Sequence, residues 1–187
     1  MPWPTTTGGG IMGYPSTVDT GLVTPHALYD PDPAGLAANT LPAGAYLVGV
    51  TLYAPAIITG VRVGIAAGGN GHYDTGIYDA TGTNGIAGNL LAHSAATNTT
   101  LSTSSAFLAP AFINGNLSLS PGKYWLAFWI DNATDTVYRS SMASTNLGVA
   151  MFGTSAGPLP AAASSLGSFV DSVRKVALFA LISGSWS

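Results

Sequence analysis

Leu119-Ser120-Pro121-Gly122-Lys123-Tyr124-Trp125-Leu126-Ala127-Phe128-Trp129-Ile130-Asp131 opens as a Pro-Gly turn and continues as a run that is apolar at every position from Tyr124 to Ile130. Side chains alternate across a β-strand, so Tyr124, Leu126, Phe128 and Ile130 face one way and Trp125, Ala127 and Trp129 the other. One such face is enough for the core of a two-sheet sandwich. A second apolar face predicts that a layer, an arm or a neighbouring subunit covers the outside of the sheet, and the expectation is that an N-terminal arm and a homo-oligomer interface share that work. The run near the far end repeats the pattern, with Val176, Leu178, Ala180 and Ile182 alternating with Ala177, Phe179 and Leu181.

Outward from this strand, β-forming runs recur between turn residues from residue 45 onward, in the manner of an all-β sandwich. The pattern predicts strands at Ala45 to Tyr53, Ile57 to Ala66, Tyr73 to Asp79, Leu90 to Ala95, Ala106 to Phe112, Lys123 to Asp131, Val137 to Met142, Val149 to Phe152 and Val173 to Ile182. Between them stand Gly68-Gly69-Asn70-Gly71, Thr81-Gly82-Thr83-Asn84-Gly85, Asn114-Gly115-Asn116 and Ser120-Pro121-Gly122, residues that tolerate positive φ or preset a turn. Leu166, Phe169, Val170 and Val173 have helical spacing and predict a short helix before the last strand. Residues 1–44 hold seven prolines, many glycines and no sustained period, which predicts an extended N-terminal arm preceding a sandwich over 45–187. Its apolar residues, among them Ile11, Met12, Tyr14, Leu28 and Tyr29, are the expected contacts of that arm with another surface.

Charged residues make up 7% of the 187-residue chain against roughly 25% in ordinary domains. Hydrophobic residues make up 47%, so the surface is built from Ser, Thr, Asn, Gly and Ala, a composition that favours association. Every acidic residue is Asp, and the chain has neither Glu nor Gln, which removes good helix formers. A net charge of −3 with five scattered Lys and Arg leaves no basic stripe for a phosphate backbone, and nucleic-acid binding is not expected. With no Cys, disulfides, thiolate metal sites and thiol nucleophiles are excluded. Tyr46 to Ala67 is apolar enough to raise the question of a membrane helix, but Pro55, Arg62 and the alternation of Val61, Val63 and Ile65 with Arg62 and Gly64 read as strand, so no membrane insertion is expected. Met1-Pro2-Trp3-Pro4 lacks the basic and apolar regions of a secretory leader, so the expectation is cytosolic synthesis.

Catalytic patterns are weak. His26, His72 and His93 have no mutual spacing, no Gly-x-Ser-x-Gly elbow occurs, and a zincin helix needs the Glu this chain lacks. Asp74, Asp79, Asp131 and Asp135 are candidates for paired carboxylates of glycoside hydrolysis or, with Asn70 and Asn84, for calcium ligands. Against this, Asp at strand ends and turns commonly binds local backbone. The expectation is a protein without enzymatic activity, cofactor or metal. Trp125, Trp129, Tyr73, Tyr78 and Tyr138 form the set to watch, either as core and subunit interface or as a platform on which sugar rings stack.

Four stretches carry a family resemblance: Ile58-Thr59-Gly60-Val61-Arg62-Val63-Gly64-Ile65, Tyr73-Asp74-Thr75-Gly76-Ile77-Tyr78-Asp79-Ala80-Thr81-Gly82, Ile86-Ala87-Gly88-Asn89-Leu90-Leu91-Ala92-His93-Ser94, and Leu119-Ser120-Pro121-Gly122-Lys123-Tyr124-Trp125-Leu126-Ala127. Together, over about residues 45 to 183, they resemble the jelly-roll module of tailed-bacteriophage virion proteins. The resemblance implies a jelly-roll β-sandwich in a minor tail or capsid-decoration protein. It further implies a structural role in the virion, docking on phage capsid or tail proteins through the arm, and a symmetric homo-oligomer, with a trimer favoured. Similar modules in receptor-binding proteins recognise host-surface glycans, the alternative the resemblance leaves open. It transfers no ligand-binding motif residue by residue.

Overall fold

A computed structural model describes residues 22–23, 37–52, 54–67, 71–95, 106–139, 150–153, 157–167, 170–171 and 178–183. They form two antiparallel sheets, and the helical pieces among them are the single 3-10 turns Thr83–Gly85 and Ala163–Leu166. In chain order the strands are β1 (Leu22–Val23), β2 (Ala37–Thr40), β3 (Gly44–Leu52), β4 (Ala56–Ala67), β5 (Tyr73–Asp79), β6 (Leu90–His93), β7 (Ala106–Leu108), β8 (Leu117–Leu119), β9 (Gly122–Ile130), β10 (Thr136–Arg139), β11 (Ala150–Gly153), β12 (Val170–Asp171) and β13 (Leu178–Ser183). The all-β expectation holds. Among the described residues, no helix is long and apolar enough to cross a membrane; Tyr46 to Ala67 lies largely in β3 and β4.

The first sheet is built around β4. Val63 pairs with both Leu178 and Leu108, and Ile65 with both Ala106 and Val137. Hence β13 and β10 follow one another along one edge of β4, while β7 and β8 lie along the other. Between β7 and β8 the chain stays against β4 through the Gly60–Ala111 bridge. A Cβ at Gly60 would collide with the Pro110 carbonyl oxygen, so glycine allows this close approach. The second sheet runs β12-β11-β3-β9-β5-β6. Its centre is the long register of β3 on β9, from Gly44 opposite Ile130 to Leu52 opposite Gly122, with β5 on the other side of β9.

The alternation of the β9 strand appears as two cores. Leu126, Phe128 and Ile130, with Tyr124 packed beside them, join Tyr46, Val48, Val50 and Leu52 of β3 and meet Ile58, Val61, Val63 and Ile65 of β4 between the sheets. Trp125, Ala127 and Trp129 lie on the opposite face with Ala45, Leu47 and Tyr78, in a separate apolar cluster. Fully burying one Leu, Ile, Val or Phe is worth about 1.5–3 kcal/mol, so both layers contribute substantially to stability.

Several boundaries differ from the sequence reading. Leu22–Val23 and Ala37–Thr40, expected in the arm, pair with β13 and β10 and so extend the first sheet on the side of β4 where those two strands lie. Leu117–Leu119, lying between two turn signals and assigned to no strand, is a strand against Ala56–Ile58. The helix expected over Leu166 to Val173 is not found among the described residues of that span: the 3-10 turn Ala163–Leu166 ends at Gly167 with φ 79°, and Val170 lies in β12. Phe169 and Val173 to Ala177 lie outside the described residues, as do Ile11, Met12, Tyr14, Leu28 and Tyr29. β13 supplies the backbone register expected of a last strand, Leu178 to Ser183 against Val63 to Ile57.

Candidate functional site

The outer face of the second sheet gathers most of the chemistry-bearing side chains. Trp125 and Trp129 on β9 and Tyr78 on β5 share the cluster roofed by Leu159, Ala163 and Leu166. These roof residues belong to the excursion between β11 and β12, at one edge of the sheet, yet Leu90 N–H donates to Ala161 O at 2.8 Å and Asn89 bridges Ala162 beside the opposite edge. From β11 to β6 is four strand spacings, about 19 Å. The sixteen residues between Gly153 and Val170 are enough to cross and return at roughly 3.3 Å each. A strap of the chain itself therefore covers the face.

The strap is bonded as well as packed. Tyr78 O–H donates to Pro160 O at 2.7 Å, and Ala163 N–H to Gly88 O at 2.8 Å. The loop 80–88 completes the roof, since Trp125 Nε1–H donates to Gly85 O at 3.2 Å and Ala87 is buried in the same cluster. Trp125 is 6% exposed and Trp129 5%, so neither ring is open for stacking. Tyr78 is fully buried, Tyr73 is buried in the core between the sheets, and Tyr138 on β10 is half-buried on the other sheet. The five aromatic candidates thus do not share one surface: three lie under the strap, and two sit elsewhere. Burial, joined by the negative charge of Asp74, pushes the Tyr78 phenol far above its ordinary value, and burial raises Tyr73 as well.

Two Asp–His pairs stand where β5 begins. Asp74 is fully buried and accepts at three points: His93 Nδ1 lies 2.8 Å from its Oδ2, while Ser94 Oγ–H and Ala95 N–H donate to Oδ1 at 3.0 and 2.8 Å. Ala95, at φ 48°, turns its amide onto the carboxylate. Ser94 Oγ also accepts from Thr75 N–H at 3.1 Å. Because the Ser94 proton goes to Asp74 itself, the three residues do not form the relay in which an imidazole stands between hydroxyl and carboxylate. Just before β5, His72 Nδ1 lies 2.7 Å from Asp131 Oδ2, and His72 N–H donates to Oδ1 at 2.8 Å. The first pair ties β5 to the end of β6, the second ties β5 to the end of β9.

The other two carboxylates also serve the backbone. Asp135 Oδ2 accepts Gly71 N–H at 2.8 Å and the Asn132 amide at 3.2 Å. Asp79 Oδ1 accepts Thr81 N–H, Thr81 Oγ–H and Asn89 N–H at 3.1, 2.6 and 2.9 Å, closing the loop that roofs Trp125. Burial acts to raise the Asp79 carboxyl, but bonds from the Thr81 hydroxyl, the Asn89 and Thr81 amides and the Asn89 side chain outweigh it and hold the group below its ordinary value. Among the described residues, no three His or Asp side chains gather at metal-binding distance. The arrangement sets turns and ties strands together. The strap and the clasps at Asp74 and Asp79 carry no pattern in sequence beyond Asp placed at strand ends.

Compared with models of known families, with curated proteins and with solved structures, the chain matches none.

Proposed function

We propose that this chain is a non-enzymatic structural protein of a bacteriophage virion, a jelly-roll sandwich serving as capsid decoration or minor tail component. In this reading it docks through its N-terminal region and assembles with copies of itself, a trimer favoured, on particles built in the host cytoplasm. One observation carries the reading: the residues that resemble the phage module act as architecture. Asp79 and Thr81 of the second stretch bind Asn89 of the third, and Trp125 of the fourth bonds Gly85 in the loop between them. Side chains that would hold a substrate in an enzyme here hold strands and loops.

The near-uncharged surface supports an assembly role, with Ile57, Leu91 and Ile113 exposed among its apolar residues. Contacts of order 1,000 Å² or more, repeated over many copies, would retain such a protein on a particle. A glycan-binding reading through Trp125 and Trp129 requires the strap to leave the sheet.

The test is deletion of residues 1–21, which spares both early strands. The shortened chain is expected to fold with unchanged circular dichroism while incorporation into particles falls to background. Undiminished incorporation, or a full chain that scatters light as a monodisperse monomer at micromolar concentration and adds to no particle, would overturn the proposal.

A further inference from the structure

The turn Phe112–Gly115 joins the two sheets at one side of the sandwich. Phe112 N–H donates to Thr59 O on β4 at 3.3 Å, and Ile113 N–H donates to His93 O on β6 at 3.1 Å. The next two residues are Asn114 and Gly115, both exposed, with Gly115 at φ 81° and open space where a Cβ would stand. The Gly115 N–H is held only by Phe112 O, at 3.2 Å.

Three Asn–Gly peptide bonds occur in the chain, at 70–71, 84–85 and 114–115, and the surroundings of their glycine nitrogens differ. Gly71 is buried, its N–H donates to the Asp135 carboxylate at 2.8 Å, and a Cβ there would collide with that carboxylate. Gly85 is fixed on both sides, its N–H on Gly82 O at 3.0 Å and its carbonyl on the Trp125 indole. Gly85 and Gly115 are both exposed, each with its N–H on a single neutral backbone carbonyl, but the Gly85 carbonyl is also anchored on the Trp125 indole, so the 114–115 turn opens more easily by local fluctuation.

We propose that Asn114–Gly115 is a self-modification site, the fastest point of deamidation in the folded chain. The Gly115 backbone nitrogen, losing its proton to solvent, attacks the Asn114 side-chain carbonyl carbon. A C–N bond closes the five-membered succinimide and the Asn114 amide leaves as ammonia. Water then opens either ring carbonyl, giving Asp or the isoaspartyl linkage. One water is consumed, one ammonia is released, and no oxidant or catalyst is needed. The isoaspartyl product adds a methylene to the main chain inside the turn that holds β4 to β6, and either product adds a carboxylate beside exposed Ile113.

The experiment incubates the full-length folded protein at mildly alkaline pH and 37 °C and follows each Asn by peptide mass and by isoaspartyl methyltransferase labelling. Trypsin would leave all three Asn–Gly sites between Arg62 and Lys123 on one peptide, so cleavage at aromatic residues is used. Asn114 is expected to convert at least about tenfold faster than Asn70, because the Gly71 bond to a carboxylate must break before attack there. Denaturant should bring the three rates together. In Asn114→Gln, whose ring would need six members, modification of the turn should cease and the loss of melting temperature on ageing should shrink. Conversion of Asn70 or Asn84 as fast as Asn114 in the folded chain, or an unmodified turn after Asn84 has reacted, overturns the proposal.

Discussion

At Asp74, a carboxylate without exposure holds a histidine, a hydroxyl and a backbone amide, so removing it strands three donors at once. Breaking a buried pair by deleting one partner costs about 3–5 kcal/mol, and Asp74→Ala is expected to lose that much in urea denaturation. A loss below about 1 kcal/mol would mean that His93, Ser94 and Ala95 find other partners. Asp79 acts differently, since its exposed carboxylate is held below the ordinary value by the bonds that close the 80–88 loop. A depressed folded value means the contribution is present above the unfolded carboxylate value and is lost as pH falls below about 4. In thermal melts between neutral and acid pH, Asp79→Asn should therefore show a shallower acid limb than the parent. An unchanged limb would remove Asp79 from the acid response. At this scale the sequence reading was half informative. Asp at strand ends and turns pointed to local backbone bonding, which Asp79 makes to Thr81, whereas Asp74, Asp131 and Asp135 bond backbone far away in the chain, and the pairing of Asp74 with His93 depends on β5 meeting β6, which no local pattern announces.

Among the elements, the strap between β11 and β12 decides what the sheet presents to solvent. Leu166 of the strap is fully buried against the sheet, and Leu166→Ala should cost about 2–5 kcal/mol as a large-to-small core change. It should also loosen the roof over Trp125 and Trp129, so tryptophan emission is expected to shift to the red while far-ultraviolet dichroism stays. Recording it in a background with Trp3 and Trp186 replaced by Phe isolates the two buried rings. Emission that does not move would show the roof held by its hydrogen bonds and the loop 80–88 alone. The double-sided β9 strand was legible because alternation is local, and it called for a cover, but over Trp125 and Trp129 that cover is residues 157–167 of the same chain rather than the expected arm and subunit interface. The cover itself was not legible: Gly157 to Gly167 has no strand period, and Leu159, Ala163 and Leu166 mark a segment only once the sheet beneath them exists. Ala37–Thr40 was missed for a related reason. Ala, Asn and Thr there carry little β preference, and the strand follows from backbone pairing with β10.

For the whole molecule, two layers of apolar packing on one sheet bury tyrosines where the phenolate is disfavoured. Tyr78 and Tyr73 lie on β5, one under the strap and one between the sheets, and both phenols are raised above their ordinary value. The unfolded chain releases these protons near pH 10, while the folded chain keeps them. Above that pH the unfolded state binds fewer protons than the native state, so stability is present below about pH 10 and falls as pH rises toward the folded values. The expected outcome is a steep alkaline limb in urea stability, with phenolate absorbance at these positions appearing together with unfolding. Tyr73→Phe with Tyr78→Phe should flatten that limb. At neutral pH the same variant should lose about 0.5–1.5 kcal/mol, because the bond from Tyr78 to Pro160 O that fastens the strap is gone. The two readouts separate the roles of the side chain, since the neutral loss reports the fastening and the slope reports the burial. An alkaline slope identical to the parent's would show that other groups carry it and that the strap opens to solvent before the sandwich unfolds.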